Sequence, residues 1–324
     1  MKNILLLSAL LLQFITQAQY APAAGQIGTT AIYKDSSTIL NWATKVIAFN
    51  RGYLNISTPN AGLVTFGDST EALSVAEGTS TNIVSLGDSG SITLGFTHPI
   101  KNGPGHDFAV FENSFSDQFL ELAHIEVSTN GIKFVRLPSV SLTPTTIQTN
   151  SFGYTDPTNL YNLAGKYRQG YGTPFDLEDI IDSIGVNLDS INYVRVIDVV
   201  GTISTGFSTD SQGHKINDPY PTVFPSGGFD LDAIAVINEN TFLGHKENDI
   251  ISYNIYPNPS KGITNINTNS DCTVDIITIN GQLINHYTLF KNEEIQLTNL
   301  KNGLYLIYFN TGEKTFINKL VVNQ

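Results

Sequence analysis

Acidic and amide side chains around one strand are the residues of this chain whose types and spacing could do chemistry. The segment GGFDLDAIAVIN, residues 227–238, places Asp230 and Asp232 two positions apart. Both carboxylates are therefore predicted on one face of a strand, about 7 Å apart. Like charges at the end of an apolar strand repel each other and lose hydration. Backbone donors, a basic side chain or a bound cation must compensate them.

Further acids and amides lie at predicted strand ends or in long loops, and with the first pair they form a candidate metal set: Asp107, Glu112, Asn113, Asp210, Asp218, Asp230 and Asp232. Calcium accepts about six to eight oxygen ligands in flexible geometry, so the sequence predicts a calcium ion that neutralises the pair and holds the loops. No contiguous EF-hand pattern is present. Two alternatives stay open. Each aspartate could cap a turn, or Arg195 of the segment YVRVIDVV could pair with Asp230 or Asp232.

Two loops carry aromatic and polar side chains suited to ligand recognition. DSQGHKINDPYPTVFPSGG contains His214, Tyr220 and Phe224, and GKYRQGYGTPFD contains Tyr167 and Arg168. Aromatic rings could stack on a sugar or another flat ligand while polar groups bind its hydroxyls. The alternative is that these rings only pack a long loop against the sandwich.

Two serine segments resemble hydrolase nucleophile motifs but lack partners. FGDST at 66–70 and LGDSGS at 86–91 need a base and an orienting acid within reach. No histidine lies in the expected context for either motif, and Glu121 and Glu126 are predicted on opposite faces of one strand. The sequence therefore predicts no catalytic residue.

The elements that must position these side chains are predicted to be almost entirely strands. A single helix is predicted over residues 35–52, capped by Ser36 or Ser37 and ended by Gly52. Asn130-Gly131 predicts a hairpin. The strand predictions cover residues 91–96, 107–113, 121–128, 133–138, 192–200 and 230–238. Strands joined by hairpins and long connections favour a β-sandwich.

Composition restricts the location and partners of the protein. The formal net charge of −12 argues against nucleic acid or an anionic membrane as a partner. One cysteine, Cys272, cannot form an internal disulfide. Residues 1–18 combine a lysine, an apolar stretch and small residues, which predicts an export signal rather than a transmembrane anchor.

The C-terminal segments YPNPSKG, DIITINGQLI, LKNGLYLIYF and KLVVNQ together resemble the C-terminal sorting domain of the type IX (Por) secretion system. The resemblance implies a small Ig-like β-sandwich at 253–324, delivery through the outer membrane by the type IX machinery, and removal of the tail. Residues 239–252 are predicted to be a linker, because their apolar periodicity lapses.

Residues 86–238 are similar to a group of bacterial cell-surface domains. The similarity rests on GPGHDFAVFEN, IEVSTNGIKF, PFDLEDI, YVRVIDVVG and GGFDLDAIAVIN, with a more distant likeness to discoidin and galactose-binding-like jelly rolls. It implies an all-β fold with a jelly-roll-like cargo domain at 19–238. We expect a secreted surface protein, stabilised by calcium, that binds carbohydrate or another extracellular ligand. The alternatives are an extracellular hydrolase acting on polysaccharide or peptide and a purely structural surface component.

Overall fold

The computed structural model describes residues 20–241, 252–311 and 315–324, and these residues form strands and short 3₁₀ helices. Contacts divide the chain after Thr241 into two compact units. The predicted export signal and most of the predicted linker, residues 242–251, lie outside the described residues. The predicted domain boundaries stay predictions.

The N-terminal unit is an all-β structure. Its strands are Ile32–Tyr33 (β1), Asn41–Trp42 (β2), Lys45–Asn50 (β3), Val84–Ser85 (β4), Ser91–Ile100 (β5), Phe108–Glu112 (β6), Ala123–Ser128 (β7), Val135–Arg136 (β8), Val140–Ser141 (β9), Leu160–Tyr161 (β10), Tyr171–Phe175 (β11), Ile191–Asp198 (β12) and Asp230–Val236 (β13). Its 3₁₀ helices are Pro59–Ala61, Ser69–Ala72, Pro157–Asn159 and Leu177–Ile180.

Two antiparallel sheets enclose the main core of this unit. One has the order β1-β11-β6-β13-β2, with β4 also paired to β13, and the other has the order β3-β5-β12-β7-β8. Leu94 of β5 and Val194 of β12 pack in one buried cluster with Val110 of β6 and Ile234 of β13. The alternation of apolar residues along these strands supplies the inner faces, so the predicted sandwich is confirmed.

The segment predicted as a helix, residues 35–52, forms strands instead. Trp42 pairs with Ala235 in one sheet, whereas Lys45 pairs with Gly95 in the other. The chain crosses between the sheets at Ala43 and Thr44. The helix prediction was wrong because the apolar spacing of this segment fits both periods, and its β-branched and aromatic residues favour strands when sheet partners are available.

The N-terminal segment also covers the outer face of the first sheet. Ala109 and Phe111 of β6 form a second buried cluster with Ala233 and Ala235 of β13, and Ile32, Ile39 and Trp42 pack against it. Consequently every residue of β6 and β13 is buried. A strand enclosed on both faces buries whichever carboxylates it carries, which is how acids enter the interior here.

The C-terminal unit is a separate sandwich. Its strands are Tyr253–Tyr256 (β14), Ile263–Thr268 (β15), Cys272–Thr278 (β16), Leu283–Leu289 (β17), Glu294–Thr298 (β18), Gly303–Asn310 (β19) and Thr315–Val322 (β20). They form the sheets β14-β15-β18 and β17-β16-β19-β20 around a core that includes Val274, Ile307 and Leu320. The Asn258 side chain of YPNPSKG donates to the Lys319 carbonyl at 2.6 Å and accepts from the Val321 N–H at 3.0 Å. This motif therefore anchors the entry of the domain to its last strand.

Candidate functional site

A cleft of about 480 Å³ opens among the loops of the N-terminal unit. Its lining comes from the segment that follows β6, from the connection between β9 and β10, and from the loop that precedes β13. Phe66 and Ser80 add a further part of the rim. These segments are far apart in sequence, and only the closed sandwich brings them together.

Phenylalanine rings form the walls of the cleft. The Phe115 and Phe119 rings stack with centroids 4.6 Å apart, Phe119 and Phe152 lie 6.2 Å apart, and Phe152 and Phe224 lie 5.5 Å apart. Phe115 and Phe152 are 63% and 64% exposed, and Phe224 is 40% exposed. Large apolar rings exposed beside one another on a soluble domain indicate a contact surface for a ligand.

Hydrogen bonds hold the wall-forming loops in place. Ser114 Oγ donates to the Phe119 carbonyl, and the Phe119 N–H donates to Ser116 Oγ at 3.0 Å. Ser151 Oγ donates to the Pro221 carbonyl at 2.6 Å, which ties the loop of Phe152 to the loop of Phe224. These hydrogen bonds hold the wall-forming loops in one arrangement, so the cleft is a preformed feature of the fold.

Carboxylates form the floor of the cleft. Asp230 accepts hydrogen bonds from Ser85 Oγ and, at 3.2 Å, from Asn113 Nδ2. Glu121 also lines the cleft, is 7% exposed, and accepts no hydrogen bond from the described residues. Beside them Glu112 accepts from the Ser114 N–H at 2.8 Å through Oε2, while its buried Oε1 has no partner.

The electrostatics of this floor are unfavourable to negative charge. Burial, followed by the neighbouring Asp230 carboxylate, raises the pKa of both Glu112 and Glu121 well above the ordinary range. Burial raises the pKa of Asp230 to about 7, although hydrogen bonds from Ser85 and Asn113 oppose the rise. Acids with raised pKa values in an open cleft are typical of functional sites.

A second, much smaller cavity of about 10 Å³ lies among further acids. That volume is about one water-sized sphere, and its lining includes Asp88, Glu121, Asp198 and Asp218. Asp198 accepts from the Ser89 and Phe229 N–H groups, and Asp218 accepts from the Leu122 N–H. Burial, and next to it the Asp88 charge, raises the pKa of Asp198. Glu121 thus lines both cavities.

Three members of the predicted metal set lie elsewhere and already have donors. Asp232 accepts from the Glu77 and Gly78 N–H groups, and Asp107 accepts from the Gly103 and Leu177 N–H groups. Asp210 accepts from the Ser141, Gln212 and His214 N–H groups. These three follow the turn-capping alternative. The other four predicted residues, Glu112, Asn113, Asp218 and Asp230, belong to the two acidic regions described above.

No ready-made metal centre exists in the part of the chain that the structure describes, because no three His, Cys, Asp or Glu side chains there are arranged to hold an ion. The proposed pairing of Arg195 with Asp230 or Asp232 is not formed either. Arg195 instead pairs with Glu126 at 3.3 Å and lies over the Phe134 ring at 3.5 Å.

Of the predicted ligand-binding residues, Phe224 lines the cleft. Tyr167 is buried with its hydroxyl on Thr30 at 2.8 Å, and Tyr220 is buried with its hydroxyl on Ser57 at 2.8 Å. Arg168 pairs with Asp117, and the exposed His214 ring pairs with Asp210 at 3.0 Å. These four side chains are therefore engaged away from the cleft lining.

The sequence reasoning missed Phe115, Phe119, Phe152 and Glu121. The available signal was the presence of phenylalanines in the polar stretches ENSFSDQFLEL and QTNSFGY, where no strand pattern assigns Phe115 and Phe152 to the core. Glu121 was considered only as a partner of Glu126, and that pairing is absent.

Comparison with known proteins identifies the C-terminal unit. Residues 254–323 match the family model of the secretion system C-terminal sorting domain. The protein is thus secreted to the cell surface by the type IX route, and its tail is the part that the secretion machinery reads. Within the described ranges, no helix is long and apolar enough to cross a membrane.

No curated protein matches the chain in sequence. Among solved structures, Ruminococcus gnavus beta-glucuronidase is 12% identical with a TM-score of 0.18, and the match covers 72% of this chain and 35% of that one. The BSP domain of a biofilm associated protein is 9% identical with a TM-score of 0.23, covering 72% and 48%. The chain therefore spans less than half of either structure, and neither likeness bears on function.

Proposed function

We propose that the N-terminal unit is a cell-surface binding domain that recognises carbohydrate in the phenylalanine-walled cleft. One observation carries this proposal: phenylalanine rings in mutual contact, three of them exposed, line a cleft of about 480 Å³ together with the buried carboxylates of Glu121 and Asp230. The unit is borne on a chain that the sorting tail sends to the cell surface. At the cell surface, an open cleft is accessible to extracellular molecules, including carbohydrates.

The chemistry of the walls and floor suits a sugar. The apolar face of a pyranose ring can pack on Phe152 or Phe224, as aromatic rings do with flat apolar partners. Its hydroxyls can donate to Glu121 and Asp230, and Asn113 and the serine and threonine side chains of the rim offer further partners. Loops on a rigid sandwich commonly carry such sites.

A glycan array tests the proposal with the full-length protein. Phe152→Ala should weaken binding to any hit by about tenfold, because it removes one stacking surface. Phe290→Ala is the matched control, since that ring is 66% exposed but belongs to the C-terminal unit. No hit above background, or an equal loss in both variants, would overturn the proposal and favour a purely structural surface component.

Calcium remains part of the proposed function, and of the ligands predicted from the sequence this proposal keeps Asp218. We propose that one ion is held near the 10 Å³ cavity by Asp88, Asp198 and Asp218, whose carboxylates would turn inward, with backbone carbonyls completing the shell. Burial raises the pKa of all three carboxyls, so an ion would relieve a cost already present in the fold.

Thermal melts with calcium and with chelator test the ion. A site filled at about one hundred times its Kd adds about 2.7 kcal/mol to the free energy of unfolding. Asp218→Asn should abolish the calcium-dependent gain, whereas Asp182→Asn on the exposed surface should keep it. Equal melting temperatures in calcium and in chelator would refute the calcium proposal, whereas the proposal of carbohydrate binding in the cleft would be unaffected.

Hydrolysis of the bound glycan is the second candidate function. Burial, followed by the Asp230 carboxylate, raises the pKa of Glu121 well above its ordinary range, which is the direction that a general acid requires. Incubating array hits with the protein and analysing the products decides between the two. Release of shorter sugars that stops in Glu121→Gln would make the domain an enzyme.

A further inference from the structure

We infer that the carbohydrate bound in the cleft carries a free amine, so that an ammonium group lies against the Glu121 and Asp230 carboxylates. The inference deepens the proposed function and rests on it. It names the ligand class as amino sugars with unsubstituted nitrogen, rather than neutral or N-acetylated ones.

The first step is the absence of compensation for negative charge. None of the residues that line the cleft is Lys, Arg or His. Glu121 accepts no hydrogen bond from the described residues, and Glu112 Oε1 is buried with no partner. Buried polar atoms are nearly always satisfied in folded proteins. Glu112 Oε1 is therefore a buried acceptor without a donor, and the neighbouring Glu121, which lines the cleft, leaves its carboxylate available to a donor on a ligand.

The second step is the kind of donor that fits. A neutral hydroxyl would give one hydrogen bond and no charge, whereas an ammonium gives three N–H donors and a positive charge that favours the ionised form of these carboxyls. Charge-assisted hydrogen bonds to carboxylates are about twice as strong as neutral ones.

The third step is the chemistry of the walls. Phe66, Phe115, Phe119, Phe152 and Phe224 present rings without a hydroxyl or an N–H. The negative face of an aromatic ring attracts a cation within about 6 Å. Phenylalanine walls over an acidic floor thus favour a positively charged group on an otherwise apolar sugar face.

Three β-1,4-linked oligosaccharides of equal length separate the possibilities: oligomers of glucosamine, of N-acetylglucosamine and of glucose. Binding to the full-length protein is measured by calorimetry in chelator and again in calcium, at a pH at which the amine is protonated. We expect the glucosamine oligomer to bind at least tenfold more tightly than either of the others in both buffers. High salt should weaken it, because the contact is ionic.

Glu121→Gln keeps the shape of the side chain and removes its charge, so it should cost the glucosamine oligomer at least tenfold in affinity and the glucose oligomer little. Asp182→Asn, on the exposed surface, is the matched control. A thermal melt verifies that each variant folds, and Phe152→Ala should weaken all binding oligomers alike.

The outcomes of the two proposals differ. Three results would overturn the proposal that the ligand carries a free amine, while carbohydrate binding itself would stand. They are equal binding of all three oligomers, a preference for an uncharged oligomer, and binding of an uncharged oligomer that appears only with calcium. Failure of all three to bind, in the absence of other hits on the array, would overturn the proposed function and this inference with it.

Discussion

Replacing Asp88 with Asn should stabilise the N-terminal unit at alkaline pH, with the gain disappearing in acid. Asp88 is 3% exposed, and burial raises its pKa from 3.8 to about 6, against the opposing hydrogen bond from the Ile56 N–H. Between about pH 4 and pH 6 the folded chain holds a proton that the unfolded chain has released. The free energy of unfolding therefore falls as pH rises through that window.

The size of the effect follows from the same values. A rise from 3.8 to about 6 corresponds to at most about 3 kcal/mol once the group is fully charged. The Asn oxygen can still accept from the Ile56 N–H, so the variant loses the charge without losing the hydrogen bond. For a unit of this size about 1 kcal/mol moves the melting temperature by roughly 2–4 °C. We expect Asp88→Asn to melt about 5 °C higher at pH 8 and no higher at pH 4.

The assay is circular dichroism of the full-length protein in chelator, heated at a series of pH values from about 4 to about 8. Asp182→Asn, which makes the same substitution at an exposed position, is the matched control. A lower melting temperature for Asp88→Asn at pH 8, or a gain equal at all pH values, would refute the reasoning. Calcium should shrink the gain, since the ion offsets the charge that the variant removes.

Two further substitutions test the packing around the acids and the motif that begins the sorting domain. Gly201→Ala should destabilise the N-terminal unit by about 2 kcal/mol or more, because the new Cβ would lie 1.5 Å from Asp218 Oδ1. Gly213→Ala is the control: its new Cβ meets nothing within 4 Å, so only the positive φ should cost stability, by about 1 kcal/mol or less. Equal losses of stability for the two variants in chemical denaturation would contradict this prediction. Asn258→Ala should destabilise only the C-terminal unit, by about 1–2 kcal/mol, because the Val321 N–H loses its acceptor. Hydrogen exchange of the Val321 amide measures this loss, and unchanged protection of that amide would contradict the prediction.

The strands and the β7–β8 hairpin were predictable because the sequence patterns that specify them are local. β12 and β13 read as apolar segments bounded by turns, and both fall within one or two residues of the predicted bounds. Asn130-Gly131 correctly predicted the pairing of β7 with β8. Of the two only Gly131 has positive φ, and Asn130 Oδ1 instead accepts from the Ile132 and Lys133 N–H groups. The sequence therefore predicted the position of the turn correctly, but not the backbone conformation of Asn130.

The candidate site was only partly predictable because its geometry depends on tertiary contacts. Asp230 and Asp232 share a strand, yet the register shifts between Leu231 and Ala233, and the two carboxylates have separate partners. Strict alternation cannot anticipate such a bulge. Glu121 is brought to Asp230 by the fold alone, from a position more than a hundred residues away in sequence.

All residues that line the cleft belong to the unit that ends at Thr241. Loss of residues 252–324 would therefore take no side chain from the cleft. The cleft and the sorting domain are encoded in separate stretches of the chain, so the same cleft could be fused to another targeting domain, or kept after removal of this one, without a change in its lining.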